Sequence, residues 1–257
     1  MNVLAIGDIV GSPGCNLVID FLHRIKKEFA VDLCIANGEN SAAGNGITRF
    51  IADELFTAGV DVITLGNHVW NKKDIYRLFE EHASIIRPAN YPPGTPGTGH
   101  MIVNVGKYKV GVINVSGRVY LENLDCPFRA VEDELKTISK VTNIIIVEFH
   151  AEATSEKVAM GWYLDGKVSA VYGTHTHIQT ADERILPRGT GYITDIGMTG
   201  PYNSILGVKK EIIINRFITH LPEKFETADG PAHFNGILLE IDESTGKTKS
   251  INRLIIK

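Results

Sequence analysis

Cysteine is scarce. Cys15, Cys34 and Cys126 are an odd number with no CxxC pairing, and Cys34 lies in an apolar run where a buried thiol is the ordinary expectation. That usage reads as a reducing compartment. No apolar stretch approaches the roughly 18 uninterrupted residues of a membrane-spanning helix, and Asp8 breaks the first hydrophobic segment where a secretory leader would continue. The expectation is a soluble, cytoplasmic protein with no membrane partner. An excess of positive charge is missing too: Lys+Arg 26 against Asp+Glu 30 gives a net charge of -4, with no polybasic field for nucleic acid. Lys209, Lys210 and Lys224 form no run dense enough to argue for RNA, although RNA is not excluded. Any affinity for phosphate has to be local. Low-complexity segments and internal repeats are also absent.

With 257 residues and 44% hydrophobic composition, the chain reads as one domain, 1–257. Pro88–Gly99 is a surface loop within it, and 195–235 an excursion that could line a cleft. Asn2–Ile6, Val31–Ala36 and Asp61–Leu65 read as buried strands, the first followed by a Gly11–Gly14 turn. Helical spacing over Leu17–Phe29, Ile47–Ala58 (closed by Gly59) and Asn71–Glu81 separates or follows them. Alternating strand and helix argues for parallel βαβ units whose C-terminal strand ends share one edge. Met101–Val105 and Lys109–Val115 read as a hairpin, Asn143–Phe149 and Val168–Tyr172 as strands, and Ala130–Ser139 and Ser155–Leu164 as helices. Gly191–Thr194, Lys210–His220, His233–Ile241 and Ser250–Ile256 read as antiparallel strands. The architecture is α/β: two packed sheets with helices outside.

Five strand ends carry polar or imidazole residues: Asp8, then Glu39 and Asn40, Asn67 and His68, His150, and finally His175 and His177. His175 and His177 are two apart, so in an extended segment both rings face one way. Each position alone has a plain explanation: a turn former or helix cap for Asp8 and Asn40, a hydrogen-bonded histidine for His150, a loop for Asn67-His68. Their convergence on one edge favours a metal site. Carboxylate, amide oxygen and imidazole suit manganese, iron or zinc, and the lack of a site thiolate argues against structural zinc. The ligands are too many for one ion. Two metals about 3.5–4 Å apart, sharing a carboxylate, would hold a bridging hydroxide and clamp a phosphoryl group. Two divalent ions less Asp8, Glu39 and one hydroxide leave one net positive charge, which suits a singly charged phosphodiester.

The order Gly-Asp, Gly-Glu-Asn, Gly-Asn-His, His, Gly-x-His-x-His resembles the calcineurin-like metallophosphoesterases, whose fold is a two-sheet β-sandwich flanked by helices. Gly7–Gly11, Asn37–Ser41, Leu65–His68 and Gly173–Thr180 more closely resemble the YmdB-type bacterial phosphoesterases, over essentially the whole chain. That resemblance implies that Glu39 bridges the metals, that Asp8, Asn40 and His177 hold one, and that Asn67, His150 and His175 hold the other. It implies His68 as the catalytic acid beside the leaving group; the alternative is a residue that only orients Asn67. Val10 stands where most of the superfamily has the histidine of Asp-x-His, and Asn40 is the candidate to replace it, a hard oxygen for a softer nitrogen. The expected cofactors are two divalent or mixed-valence ions, iron or manganese first and zinc third.

The function implied is hydrolysis of small phosphodiesters, with 2′,3′-cyclic or 3′,5′-cyclic AMP among the candidates. A phosphomonoesterase or nuclease with the same metals is the alternative; no arginine or lysine within the motifs speaks for a dianionic monoester. A metal-bound regulatory or scaffold protein with incidental turnover is a third. A homo-oligomer is expected from the resemblance alone. Thr174 and Thr176 are read as turn formers, Trp70 and Trp162 as core, Asp195 as a turn or cleft residue, and His233 as peripheral.

Overall fold

In β1 (Asn2–Ile6) successive side chains bury on opposite faces: Val3 and Ala5 enter one apolar cluster, Leu4 and Ile6 another. A period of two with both faces apolar is the pattern of a strand covered on both sides. The computed structural model describes residues 1–257. After β1 come β2 (Asp8–Ile9), α1 (Gly11–Glu28), β3 (Leu33–Asn37), α2 (Arg49–Ala58), β4 (Val62–Thr64), α3 (Ile75–Glu81) and β5 (Ile85–Ile86). The hairpin of β6 (His100–Val105) and β7 (Tyr108–Ser116) leads to α4 (Pro127–Ile138), β8 (Ile145–His150), α5 (Thr154–Leu164) and β9 (Ala170–Thr174). β10 (Arg184–Ile185), β11 (Gly191–Ile193), β12 (Met198–Pro201), α6 (Lys210–Thr219), β13 (Ala232–Ile241) and β14 (Thr248–Ile256) complete the chain.

Two sheets result. One runs β2-β12-β13-β1-β3-β4-β5 with β14 on β13, the other β10-β11-β9-β8-β7-β6. Between them lies the sandwich core, with Val3, Ala5, Leu33 and Ile35 facing Val110, Val112, Ile146 and Tyr172. Leu4, Ile6, Cys34 and Ala36 pack outward with Val18, Leu22, Ala52 and Leu55 of α1 and α2, while Ile145, Val147 and Phe149 pack with Val131, Met160 and Leu164 of α4 and α5. The α/β sandwich flanked by helices is as the sequence implies. Parallel pairing brings Ile6 level with Ala36, Asn37 level with Thr64, and His150 level with Thr174, so these strand ends share one edge.

Several elements differ from expectation. Gly11–Gly14 is the first turn of α1, not a separate turn, with Pro13 in a position where a missing N–H costs nothing. Helix α3 starts only at Ile75, and β5 is an additional short strand. Lys210–Thr219 is a helix. Its Ile212-Ile213-Ile214 run reads as strand, but only Ile213 is buried, and a segment with no sheet edge to pair satisfies its backbone by coiling. Strand β11 runs parallel to β9, not antiparallel. Trp70 packs edge-to-face on Tyr91, whereas Trp162 is about half exposed under the Arg184 guanidinium and is not core. All three cysteines are free thiols, and burial pushes Cys15 up to about 12. No helix is long and apolar enough to cross a membrane.

Candidate metal centre

Beyond Thr174 the chain leaves β9 and turns sharply: His175 has φ 90 and His177 φ 64. The pair is therefore not extended. Non-glycine residues at such angles are strained and persist only where contacts hold them. Here two carboxylates do so. Asp8 Oδ2 accepts from the His175 N–H at 3.1 Å, and Asp195 Oδ2 accepts from the Thr176 N–H at 3.1 Å and its hydroxyl at 2.6 Å. Lys157 Nζ completes the second anchor at 2.6 Å from Asp195. Thr176 thus shapes the turn, and Asp195 lies buried beneath it.

The turn sends the two imidazoles to different neighbours. His175 Nδ1 stands 3.1 Å from His150 Nε2, which is 2.9 Å from Asn67 Oδ1 and 3.2 Å from Glu39 Oε1. His177 Nε2 stands 3.2 Å from Asn40 Nδ2 and 3.7 Å from Asp8 Oδ1. Glu39 lies between these groups: Oε1 also accepts from Asn40 Nδ2 at 3.2 Å, and Oε2 from the His68 N–H at 3.1 Å. His68 Nδ1 meets Asn40 Oδ1 at 2.8 Å, so its partner is Asn40 and not Asn67. All eight residues singled out in the sequence thus stand in one network.

The donor set fits divalent ions. Donor atoms about 3 Å apart are spaced like neighbours in a coordination shell with bonds of about 2.0–2.1 Å. The ligating atoms of Glu39, His150 and His175 all lie within 4.8 Å of one another. Asp8 Oδ1 is buried with no hydrogen-bond partner, an orphaned acceptor that a cation would satisfy. Each histidine also has its outer nitrogen beside an acceptor: Thr174 Oγ1 at 3.0 Å for His150 Nδ1, Glu152 Oε2 at 3.0 Å for His175 Nε2, and the Leu206 carbonyl at 3.0 Å for His177 Nδ1. Such partners aim the inner nitrogen at a metal. Asn40 presents Nδ2 to Glu39 and His177, so its service as an oxygen ligand requires its amide to rotate. Gly66 leaves room for Glu39 and His150, since a Cβ there would collide with Glu39 Oε2 and His150 Nε2.

Electrostatics follow the crowding of buried carboxylates. Burial raises the Asp8 carboxyl against the pull of His177 and His150. Burial would also raise Glu39, but His150 and His68 hold it well below the usual carboxylate range. Burial opposes charge on His150, yet Glu39 and then Asp8 and Glu148 push it up to about 9. A proton takes the place that the acids keep for positive charge. His175, held down to about 3 by burial and by neighbouring His150, is neutral and able to ligate.

Beside His68 and His177 opens a cavity of about 830 Å³, bordered also by Asn45, Lys72, residues 206–208, Lys224, Phe225 and Thr227. That is the size of a small-ligand pocket. Lys72 and Lys224 come from outside the motifs, so the absence of motif cations loses force as an argument against monoesters. His233 is not in the site; its ring packs on Tyr202. Sequence reading missed Glu148, Glu152, Lys157 and Lys72, and weighed Lys224 only as part of a run for RNA. Only Glu148 carried a local signal, a charge inside the apolar run Ile144–Phe149.

A family model described as YmdB-like protein matches residues 4–254. The chain belongs to the YmdB-like family. A 2′,3′-cyclic-nucleotide 2′-phosphodiesterase of Bacillus subtilis (strain 168) is 48% identical, covering 100% of this chain and 97% of its own. A crystal structure of a hypothetical protein from Thermus thermophilus superposes with a TM-score of 0.94 at 44% identity, covering 100% of this chain and 99% of that one. A novel phosphatase from Mycoplasma pneumoniae, 33% identical, gives a TM-score of 0.94 and covers 100% and 93%. The YmdB-like fold therefore extends over the whole chain.

Proposed function

We propose that the chain is a binuclear-metal phosphodiesterase of small cyclic nucleotides, with 2′,3′-cyclic AMP favoured by the Bacillus subtilis relative and 3′,5′-cyclic AMP a further candidate. That it is a hydrolase of phosphoric esters follows from its family. The observation that carries the metal reading is the common arrangement of His150, His175 and His177, outer nitrogen at an acceptor and inner nitrogen turned to the Asp8, Glu39, Asn40 and Asn67 cluster.

Asp8, His177 and a rotated Asn40 would hold one ion, and Asn67, His150 and His175 the other, with Glu39 shared. Iron or manganese suits this set, with zinc third. Bound ions of this kind supply a hydroxide nucleophile at neutral pH and offset the charge that develops on phosphorus oxygens. His68 does the proton chemistry. With its Nδ1–H on Asn40 Oδ1, the imidazolium form of His68 would give its Nε2 hydrogen to the departing ribose oxygen and be left as a neutral imidazole.

Protein stripped of metal and reconstituted with manganese or iron should hydrolyse bis-p-nitrophenyl phosphate faster than p-nitrophenyl phosphate. Equal or reversed rates overturn the diesterase reading. They would favour a phosphomonoesterase, for which Lys72 and Lys224 at the cavity are the supporting observation, whereas a nuclease would share the diester preference and be told apart by cleavage of RNA or DNA. Tight nucleotide binding with very slow hydrolysis would instead mark a regulatory protein. A cytoplasmic location and a homo-oligomer belong to the same proposal. The second is supported by the exposed Ile214, Phe217, Ile218 and Leu221 on and just after α6, and sedimentation tests it.

A further inference from the structure

Two residues before His150 on β8, Glu148 points into the sandwich with no exposure to solvent. Four side-chain donors close on it. Asn37 Nδ2 at 2.7 Å and Thr174 Oγ1 at 2.9 Å reach Oε1, while Thr64 Oγ1 at 2.5 Å and Tyr172 Oη at 3.1 Å reach Oε2. An apolar side chain would fill the same space without the cost of burying a charge. The reason for a carboxyl group there lies in what Thr174 does next.

A threonine hydroxyl has one hydrogen. The Thr174 hydrogen is directed at Glu148 Oε1, so Thr174 Oγ1 meets His150 Nδ1, 3.0 Å away, only as an acceptor. His150 Nδ1 must then carry a hydrogen whether or not the ring is charged, so it is Nε2, facing Glu39, Asn67 and His175, that gives up its hydrogen when a cation binds. We infer that Glu148 is a positioning residue that acts through Thr174 to hold His150 in the Nδ1–H form, presenting Nε2 as a ligand for a divalent cation. This rests on the metal reading above.

The relay does not depend on the charge of Glu148. Burial raises its carboxyl, and a proton taken up on Oε2 is accommodated by Thr64, whose own hydrogen turns to the Ala36 carbonyl at 3.3 Å. Oε1 still accepts from Asn37 and Thr174. Asn37 also ties the cluster to the other side of the site, since its Oδ1 accepts from the Glu39 N–H at 3.1 Å.

The test is Mn²⁺ titration of metal-stripped full-length protein, wild type against Thr174→Val and Thr174→Ser. In Thr174→Val the affinity for one of the two ions falls about 10–100-fold while the other is unchanged, and Thr174→Ser restores both. Unchanged affinities in Thr174→Val, or equal weakening of both, overturn the relay. Wild-type protein that binds no Mn²⁺ overturns the metal reading itself. A second measurement needs no variant: proton–nitrogen NMR of the zinc-loaded wild type should place the His150 ring hydrogen on Nδ1, and a hydrogen on Nε2 overturns the inference.

Discussion

Lys157 Nζ lies 2.6 Å from Asp195 Oδ2 where neither side chain reaches solvent, with side-chain exposures of 2% and 0%. The two are not equally dependent on each other. Asp195 keeps the Thr176 N–H and hydroxyl and the Gly197 N–H as donors if the lysine is lost, whereas Lys157 without Asp195 is a buried charge with only Thr176 Oγ1, at 3.5 Å, beside it. Asp195→Ala should therefore cost about 3–5 kcal/mol in urea unfolding, and Lys157→Met clearly less. The reverse order would show that the aspartate does not anchor the turn.

Glu39 meets both groups of ligands through side-chain atoms, Asn40 Nδ2 on one side and His150 Nε2 on the other. Glu39→Gln should lower metal content and phosphodiester hydrolysis together, because the shared position loses its charge. Full two-ion loading of this variant, read by elemental analysis, would remove Glu39 from the role of bridge.

Gly66→Ala places a methyl group against Glu39 Oε2 and His150 Nε2. The expected result is a folded protein, by circular dichroism, whose metal binding and turnover are largely lost. Retention of both would mean that the strand end can withdraw, and that the crowding around Gly66 is not what shapes the site.

His68→Ala should be selective in its effect. Loss of a general acid costs about 10²–10⁴-fold on a cyclic nucleotide, whose ribose oxygen is a poor leaving group, and far less on a nitrophenyl ester that leaves without a proton. Equal losses on the two substrates would assign His68 to holding Asn40 alone.

Away from the site, His100 Nδ1 meets Glu134 Oε2 at 2.6 Å, and this hydrogen bond raises the His100 pKa despite partial burial. A raised histidine contributes stability that is fully present below its unfolded value of about 6.5 and fades as pH rises through the folded value. The thermal midpoint of His100→Gln should thus fall below wild type at pH 6, with the gap narrowing as pH rises above the unfolded value of about 6.5. A gap that widens with pH contradicts the assigned direction.

The strand ends were legible because parallel βαβ units put every C-terminal end on one edge, so Asp8, Glu39, Asn67 and His150 could be gathered from sequence order. The shape of the His175–His177 turn was not, since its positive φ angles are held by Asp8 and Asp195 from distant parts of the chain. Ile212–Ile214 misled for a related reason: β-branched residues favour a strand only where a sheet edge receives them. Lys72 and Lys224 carry no local mark of their place, which is set by how the loops fold over the cavity. Glu148 was readable in principle, as a charge within an apolar strand requires partners.

Leu206, itself at φ 53, borders the cavity and accepts from His177 Nδ1 through its carbonyl. The cavity wall and one proposed metal ligand are therefore a single mechanical part. A ligand that shifted this wall on entering would re-aim the imidazole, so occupancy of the cavity and affinity for the proposed ion would share one coupling free energy. Thermodynamic reciprocity would then require that loading the ion alter the affinity for that ligand by the same factor.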